Sequence, residues 1–189
     1  AELINTMATV GFGFTEVGSI TAEPYAGNPR PRLWRLPEVQ GLRVHIGLAN
    51  AGAEVIAQRL ERKHYPIPFG ISIAKINDLA EYSTVAERFR NIGQYVTLNI
   101  SCPNVAGGKD CQQPAVLETL LSAYHQLGMT KPVFVKISPD LDFALVDQLL
   151  DSMIQYHVTG VICSNLTKNP STVGGISGKS AQAKSLALV

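Results

Sequence analysis

The chain has 189 residues, 46% of them hydrophobic and 16% charged, with a formal net charge of +1. That is enough apolar material for one domain over residues 1–189. The charge is too sparse for a nucleic-acid surface or a polybasic membrane patch. Three cysteines, Cys102, Cys111 and Cys163, without metal-like spacing argue against a disulfide scaffold or a zinc site and favour a reducing compartment.

The chain opens on "AELINTMATVG", which reads as helix. It shows neither a signal-peptide pattern nor a run of about 18 apolar residues, so neither a leader nor a membrane span is expected. "GFGFTEVG" contains a G-x-G, but ahead of an apolar run rather than behind one, which points away from a dinucleotide turn. Residues 15–21 read as a strand. Residues 22–47, with Pro24, Pro29, Pro31 and Pro37, read as a long irregular segment of the kind that carries function. A second strand spans 67–74. Asn77 is expected to cap the helix "DLAEYSTVAERFRNI", where Leu79, Tyr82, Val85, Ala86 and Phe89 share one face. A third strand covers 95–101. The helix "AVLETLLSAYHQLG" follows, with Val116, Leu117, Leu120, Leu121 and Tyr124 on its apolar stripe and Gly128 at its exit. The fourth strand is 132–138. Leu145, Leu149, Met153 and Ile154 mark the apolar stripe of "DFALVDQLLDSMIQYH". The fifth strand is 160–166. "GGISGK" reads either as a turn or as a loop able to hold an anion or a ring carbonyl, and "AKSLALV" opens another helix.

Strands separated by amphipathic helices imply parallel pairing, because each return needs a crossover. The strands read as continuously apolar, as expected with both faces covered. The expected fold is α/β, a (β/α)8 TIM barrel rather than an open doubly wound sheet. Polar residues gather where barrel chemistry gathers, at the C-terminal ends of the strands: Ser19 and Thr21, the "NISCPN" of 99–104, Lys136, Ser164 and Asn165.

Each of these residues has a plain structural use. A cysteine such as Cys102 often only packs, and asparagines such as Asn99 and Asn165 often satisfy loop backbone. Lys136 is harder to explain that way, since an ammonium at the end of a buried strand is costly unless paired or used. Together the strand ends suit one flat heterocycle. Asn side chains match amide edges, Lys136 suits negative charge on a reduced flavin, and Cys102 suits a base drawn from a thiol of free pKa about 8.5.

The motifs "GFGFTEVGSITAEPYAGNPRPRLWRLPE", "NISCPN", "VFVKISPDL", "GVICSNLT" and "GGISGK", in this order, resemble the dihydroorotate dehydrogenase family of FMN-dependent barrel enzymes in pyrimidine biosynthesis. The GNPRPR/RLPE form is similar to the quinone-linked, membrane-associated class 2, and the cysteine in "NISCPN" to class 1. The resemblance implies that Cys102 takes the C5 proton of dihydroorotate while hydride passes from C6 to flavin N5. It implies Lys136 at the N1/O2 edge of FMN, Asn99 between cofactor and substrate, and Asn104 and Asn165 on the orotate ring. Ser19, Ser164, Ser177 and Gly178 would line the FMN, with no metal. Quinone is the implied acceptor, and the cytoplasmic side of the membrane the implied location of the full-length enzyme, through a segment other than these residues. The chain departs from the family where Val44 and Ser72 stand for asparagines and where Leu166 follows Asn165; Asn50 is a candidate replacement for the ring-binding asparagine lost at Val44. The alternatives are another FMN barrel reductase of dihydropyrimidines or dihydrouridine, or a non-catalytic barrel fragment. The resemblance covers strands two to six of a barrel that takes about 250 residues, so these 189 residues are expected to bind FMN poorly, and a yellow product with stoichiometric FMN overturns that.

Overall fold

The computed structural model describes residues 3–101, 110–168 and 171–189. A short helix α1 (Ile4–Thr9) leads into β1 (Thr15–Ile20), and a hairpin of β2 (Leu33–Leu36) and β3 (Gly41–Val44) follows. Helix α2 (Ala53–Glu61) then starts a regular alternation: β4 (Phe69–Ile73), α3 (Ala80–Arg88), β5 (Tyr95–Asn99), α4 (Pro114–Gln126), β6 (Val133–Lys136), α5 (Phe143–Gln155) and β7 (Gly160–Ile162). The chain closes with β8 (Thr167–Lys168), β9 (Gly175–Gly178) and α6 (Lys179–Ala187).

The five parallel strands lie in the order β1-β4-β5-β6-β7, an arc of a (β/α)8 barrel. Their two faces differ. The cross-strand rows Ile71–Val96–Val133 and Ile73–Leu98–Val135 are buried in one cluster with Tyr82 and Val85 of α3, Leu117 and Leu120 of α4, and Leu149 and Met153 of α5. The opposite rows run Ser72–Thr97–Phe134 and Asn99–Lys136. The strands therefore alternate, against the expectation of apolar residues on both faces. The helix-facing side excludes water with hydrocarbon, and the barrel-facing side is kept for polar groups.

Aromatic rings make the floor of that inner face. A Cβ at Gly70 would overlap the Tyr95 ring, and one at Gly160 would come within 3.1 Å of Phe134. The two rings meet edge to face at 5.5 Å. Tyr95 donates its hydroxyl to the Thr15 carbonyl at 3.2 Å. Burial, aided by the charge of Glu16, pushes its pKa up to about 12.

Three local expectations are corrected. Residues 22–47 are not irregular throughout, because β2 and β3 join β9 and β8 in an antiparallel sheet of order β2-β3-β9-β8. Asn77 is not the cap of α3. Asp78 Oδ1 accepts from the Ala80 N–H at 2.8 Å, and Glu81 Oε1 accepts from Asn77 N at 2.7 Å and Asp78 N at 3.0 Å. Carboxylates thus seal the positive end of the helix. Ile154 is 71% exposed, since the buried stripe Val146, Leu149 and Met153 leaves the next residue turned by about 100°.

The Gly70→Ala variant is expected to force the Tyr95 ring aside and destabilise the protein by about 1–3 kcal/mol, read as a lowered thermal midpoint. Adding Tyr95→Ala to it should make the two effects less than additive.

Candidate functional site at the strand ends

The site starts where β1 and β4 approach each other. Gly18 has φ +138°, and a Cβ there would sit 2.5 Å from the Ser72 carbonyl oxygen. Only glycine permits this approach, which brings Ser19 Oγ to 2.9 Å from Ser72 Oγ. The amide of Asn99, 8% exposed, continues the contact, with Nδ2 donating to Ser19 Oγ at 2.8 Å. Asn99 Oδ1 accepts from Ser101 N at 3.3 Å, Ser101 Oγ at 3.1 Å and Asn165 Nδ2 at 3.4 Å. Asn165 Nδ2 also donates to Ser101 Oγ at 2.9 Å, and its own Oδ1 accepts from Leu166 N at 2.8 Å. The buried Tyr82 hydroxyl donates to the Asn99 carbonyl at 2.8 Å and fixes the strand end from the helix side.

Lys136 is the register partner of Asn99, so both stand on the same face of the sheet. Lys136 is half-buried and has no ion pair among the described residues. Beside Ser101 and Ser138 lies a cavity of about 310 Å³, lined also by Gln112, Asp140 and Lys168. Gln112 carries a buried Oε1 without a hydrogen-bond partner among the described residues.

The remaining expected residues are more dispersed. Ser164 Oγ lies 2.7 Å from Ser185 Oγ of α6. Ser177 is in β9, opposite Leu42, while the Thr167–Ile176 pair of β8 and β9 carries it towards Leu166 and Asn165. Gly178 has φ +90° and ends β9 against the Gln40 turn of the hairpin. Cys102 and Asn104 lie outside the described residues.

The structure removes Asn50 as a candidate ring ligand. Its Oδ1 accepts from Gly52 N at 2.9 Å and Thr21 N at 3.4 Å, and its Nδ2 donates to Thr21 Oγ1 at 2.8 Å and to the Leu48 carbonyl at 2.7 Å. The amide is spent on its own loop and on Thr21 at the end of β1.

Sequence reasoning missed one staple. Asp140 accepts from Thr167 Oγ1 at 2.6 Å, Lys168 N at 2.7 Å and Lys184 Nζ at 2.6 Å. These bonds tie the loop after β6 to β8 and α6, and so hold the segment bearing Ser164 and Asn165. Burial alone would raise the Asp140 pKa, but Lys184, the Thr167 hydroxyl and the Lys168 N–H outweigh it and hold the carboxyl below its ordinary range. Asp140 lies within "VFVKISPDL", so the motif marked it; nothing local marked Lys184.

A parallel barrel arc with amides, hydroxyls and an ammonium at its strand ends belongs to the class of TIM-barrel proteins that work at this rim. Residues 1–189 match the family described as dihydroorotate dehydrogenase, and the chain belongs to that family. It is similar to the dihydroorotate dehydrogenase (quinone) of Haloarcula marismortui, with 38% identity over 95% of this chain and 55% of that protein. The protein of the same name from Mycolicibacterium smegmatis is 37% identical over 90% and 52%. The crystal structure of DHODH in complex with ferulenol from Eimeria tenella superposes with a TM-score of 0.88 at 27% identity, covering 96% of this chain and 60% of that one. The chain thus spans about half the length of the curated relatives it matches.

The Asp140→Asn variant is expected to cost about 1–2 kcal/mol near neutral pH. A depressed carboxyl stabilises the fold above its unfolded pKa of about 3.9 and loses that contribution as pH falls through the folded value. The gap between the two proteins in thermal midpoint should therefore be full at pH 6–7 and close below about pH 4.

Proposed function

We propose that these residues form the central part of a site at which dihydroorotate is oxidised to orotate, with FMN as hydride acceptor and a quinone as final oxidant. The residues fit FMN by the chemistry of their free groups. Asn99 Oδ1 is occupied by Ser101 and Asn165, so Asn99 has only an N–H left to offer. The Ser19–Ser72 pair uses one hydroxyl proton internally and keeps one. Lys136 offers an ammonium with no ion pair among the described residues. An edge of donors complements a ring edge of acceptors, such as the N1 and C2 carbonyl side of an isoalloxazine or the carbonyls of a pyrimidine. The free donors of Asn99, the Ser19–Ser72 pair and Lys136 carry the reading, and family membership names the ring.

Bound FMN would supply the acceptor for the hydride leaving C6 of dihydroorotate. Lys136 would hold positive charge where negative charge develops on the cofactor. Asn99 would orient cofactor and substrate, its amide held by Ser19, Ser101 and Asn165. Asn165 and Asn104 would fix the pyrimidine, and Cys102 would take the C5 proton as a thiolate. Ser19, Ser164, Ser177 and Gly178 would line the FMN. The relatives named as quinone enzymes support quinone as the oxidant, and a location on the cytoplasmic side of the membrane belongs to the same reading. Among the described residues no helix is long and apolar enough to cross a membrane.

The full-length protein is expected to carry a flavin spectrum and to convert dihydroorotate to orotate with a soluble quinone. The Lys136→Ala variant should lose on the order of a hundredfold in turnover. Turnover of dihydrouracil without turnover of dihydroorotate would replace this reading with that of a different pyrimidine reductase.

A further inference from the structure

Ser72 sits in the inner row with Thr97 and Phe134 and is 3% exposed. Among the described residues its hydroxyl has one partner, Ser19 Oγ at 2.9 Å. The directions of the neighbouring bonds are constrained. Ser101 N can only donate, so it pins Asn99 Oδ1 on its side, and Asn99 Nδ2 then donates to Ser19 Oγ. With one of its lone pairs taken by Asn99, Ser19 can send its own proton to Ser72 or accept the Ser72 proton and point its own outward. Contact with Ser72 therefore limits the Ser19 hydroxyl to these two arrangements. The backbone is shaped for this contact, since the glycine at position 18 lets β1 come close enough for the two hydroxyls to meet.

We propose that Ser72 is a positioning residue: without touching the ring it orients the Ser19 hydroxyl and, through Ser19, holds the Asn99 amide with its free N–H towards the cofactor. This rests on the FMN reading above. Ser72 stands where the resembling family carries asparagine, and serine's shorter arm delivers its one oxygen to Ser19 and ends there. In this chain a strand-end contact is therefore made through a hydroxyl pair.

A double-mutant cycle with Ser19→Ala, Ser72→Ala and both together, in the full-length protein, tests the inference. FMN affinity is read by fluorescence quenching, and kcat and KM for dihydroorotate are read separately. Each single change is expected to weaken FMN binding about tenfold, and the double variant to match Ser19→Ala within about twofold, since Ser72 acts only through Ser19. A Ser72→Ala effect of the same size with and without Ser19 overturns the proposal, as does a Ser72→Ala protein that behaves like the parent. A second readout needs no cofactor: the side-chain amide signals of Asn99 in the ligand-free protein should shift in Ser72→Ala as they do in Ser19→Ala. Unchanged signals overturn the proposal. If the parent protein neither holds FMN nor oxidises dihydroorotate, the functional reading fails, and the amide signals alone decide the role of Ser72.

Discussion

The occupied amide oxygen of Asn99 is the contact on which the rest of the site depends. One carbonyl oxygen at the end of β5 collects donors from Ser101 and Asn165, while the NH2 group of the same amide reaches Ser19 on β1. A buried amide that satisfies both ends in this way cannot flip without losing several bonds at once, and each lost bond would leave a desolvated polar atom. The amide thus joins strand ends that are distant in sequence, with Ser19 and Asn99 separated by 80 positions and Asn99 and Asn165 by 66. It also determines what Asn99 can offer: its acceptor oxygen is consumed internally, and an N–H is left over.

That rim is affordable because stability is supplied elsewhere. The helix-facing rows of the sheet are almost fully dehydrated, with Ile71, Val96, Leu98 and Val135 all 0% exposed. Rings of Tyr95 and Phe134 lie over Gly70 and Gly160 and close the inner face from below. Hydrocarbon on one face and aromatics at the floor leave the upper inner face free to hold hydroxyls, amides and an ammonium. Outside the arc, the small antiparallel sheet and the Asp140 staple hold the later segments that carry Ser164, Asn165 and Ser177.

Much of this was legible before any coordinates. All five parallel strands fall within the segments read from composition, and Tyr82, Val85, Ala86 and Phe89 are buried as the helical period requires. Asn99, Lys136 and Asn165 were marked by polarity at the ends of apolar runs. The failures share a cause. Asn50 looked like a candidate ligand because sequence does not show that four hydrogen bonds to Thr21, Leu48 and Gly52 saturate its amide. Residues 33–44 looked irregular because β3 finds its partner β9 more than 130 positions later. The contact between Ser72 and Ser19 was not visible either, because it depends on how closely β1 approaches β4.

The sequence by itself determined the local order of the arc: where its five strands and the helices α3, α4 and α5 fall, that those strands run parallel, and which polar residues stand at their ends. Those features follow from periodicity and from the crossover each helix provides, both of which are properties of neighbouring residues. Only the tertiary structure decided which polar groups spend their hydrogen bonds on one another and which keep them. That outcome depends on distances of about 3 Å between atoms from different strands, and a hydrogen bond is made or lost within a few tenths of an ångström.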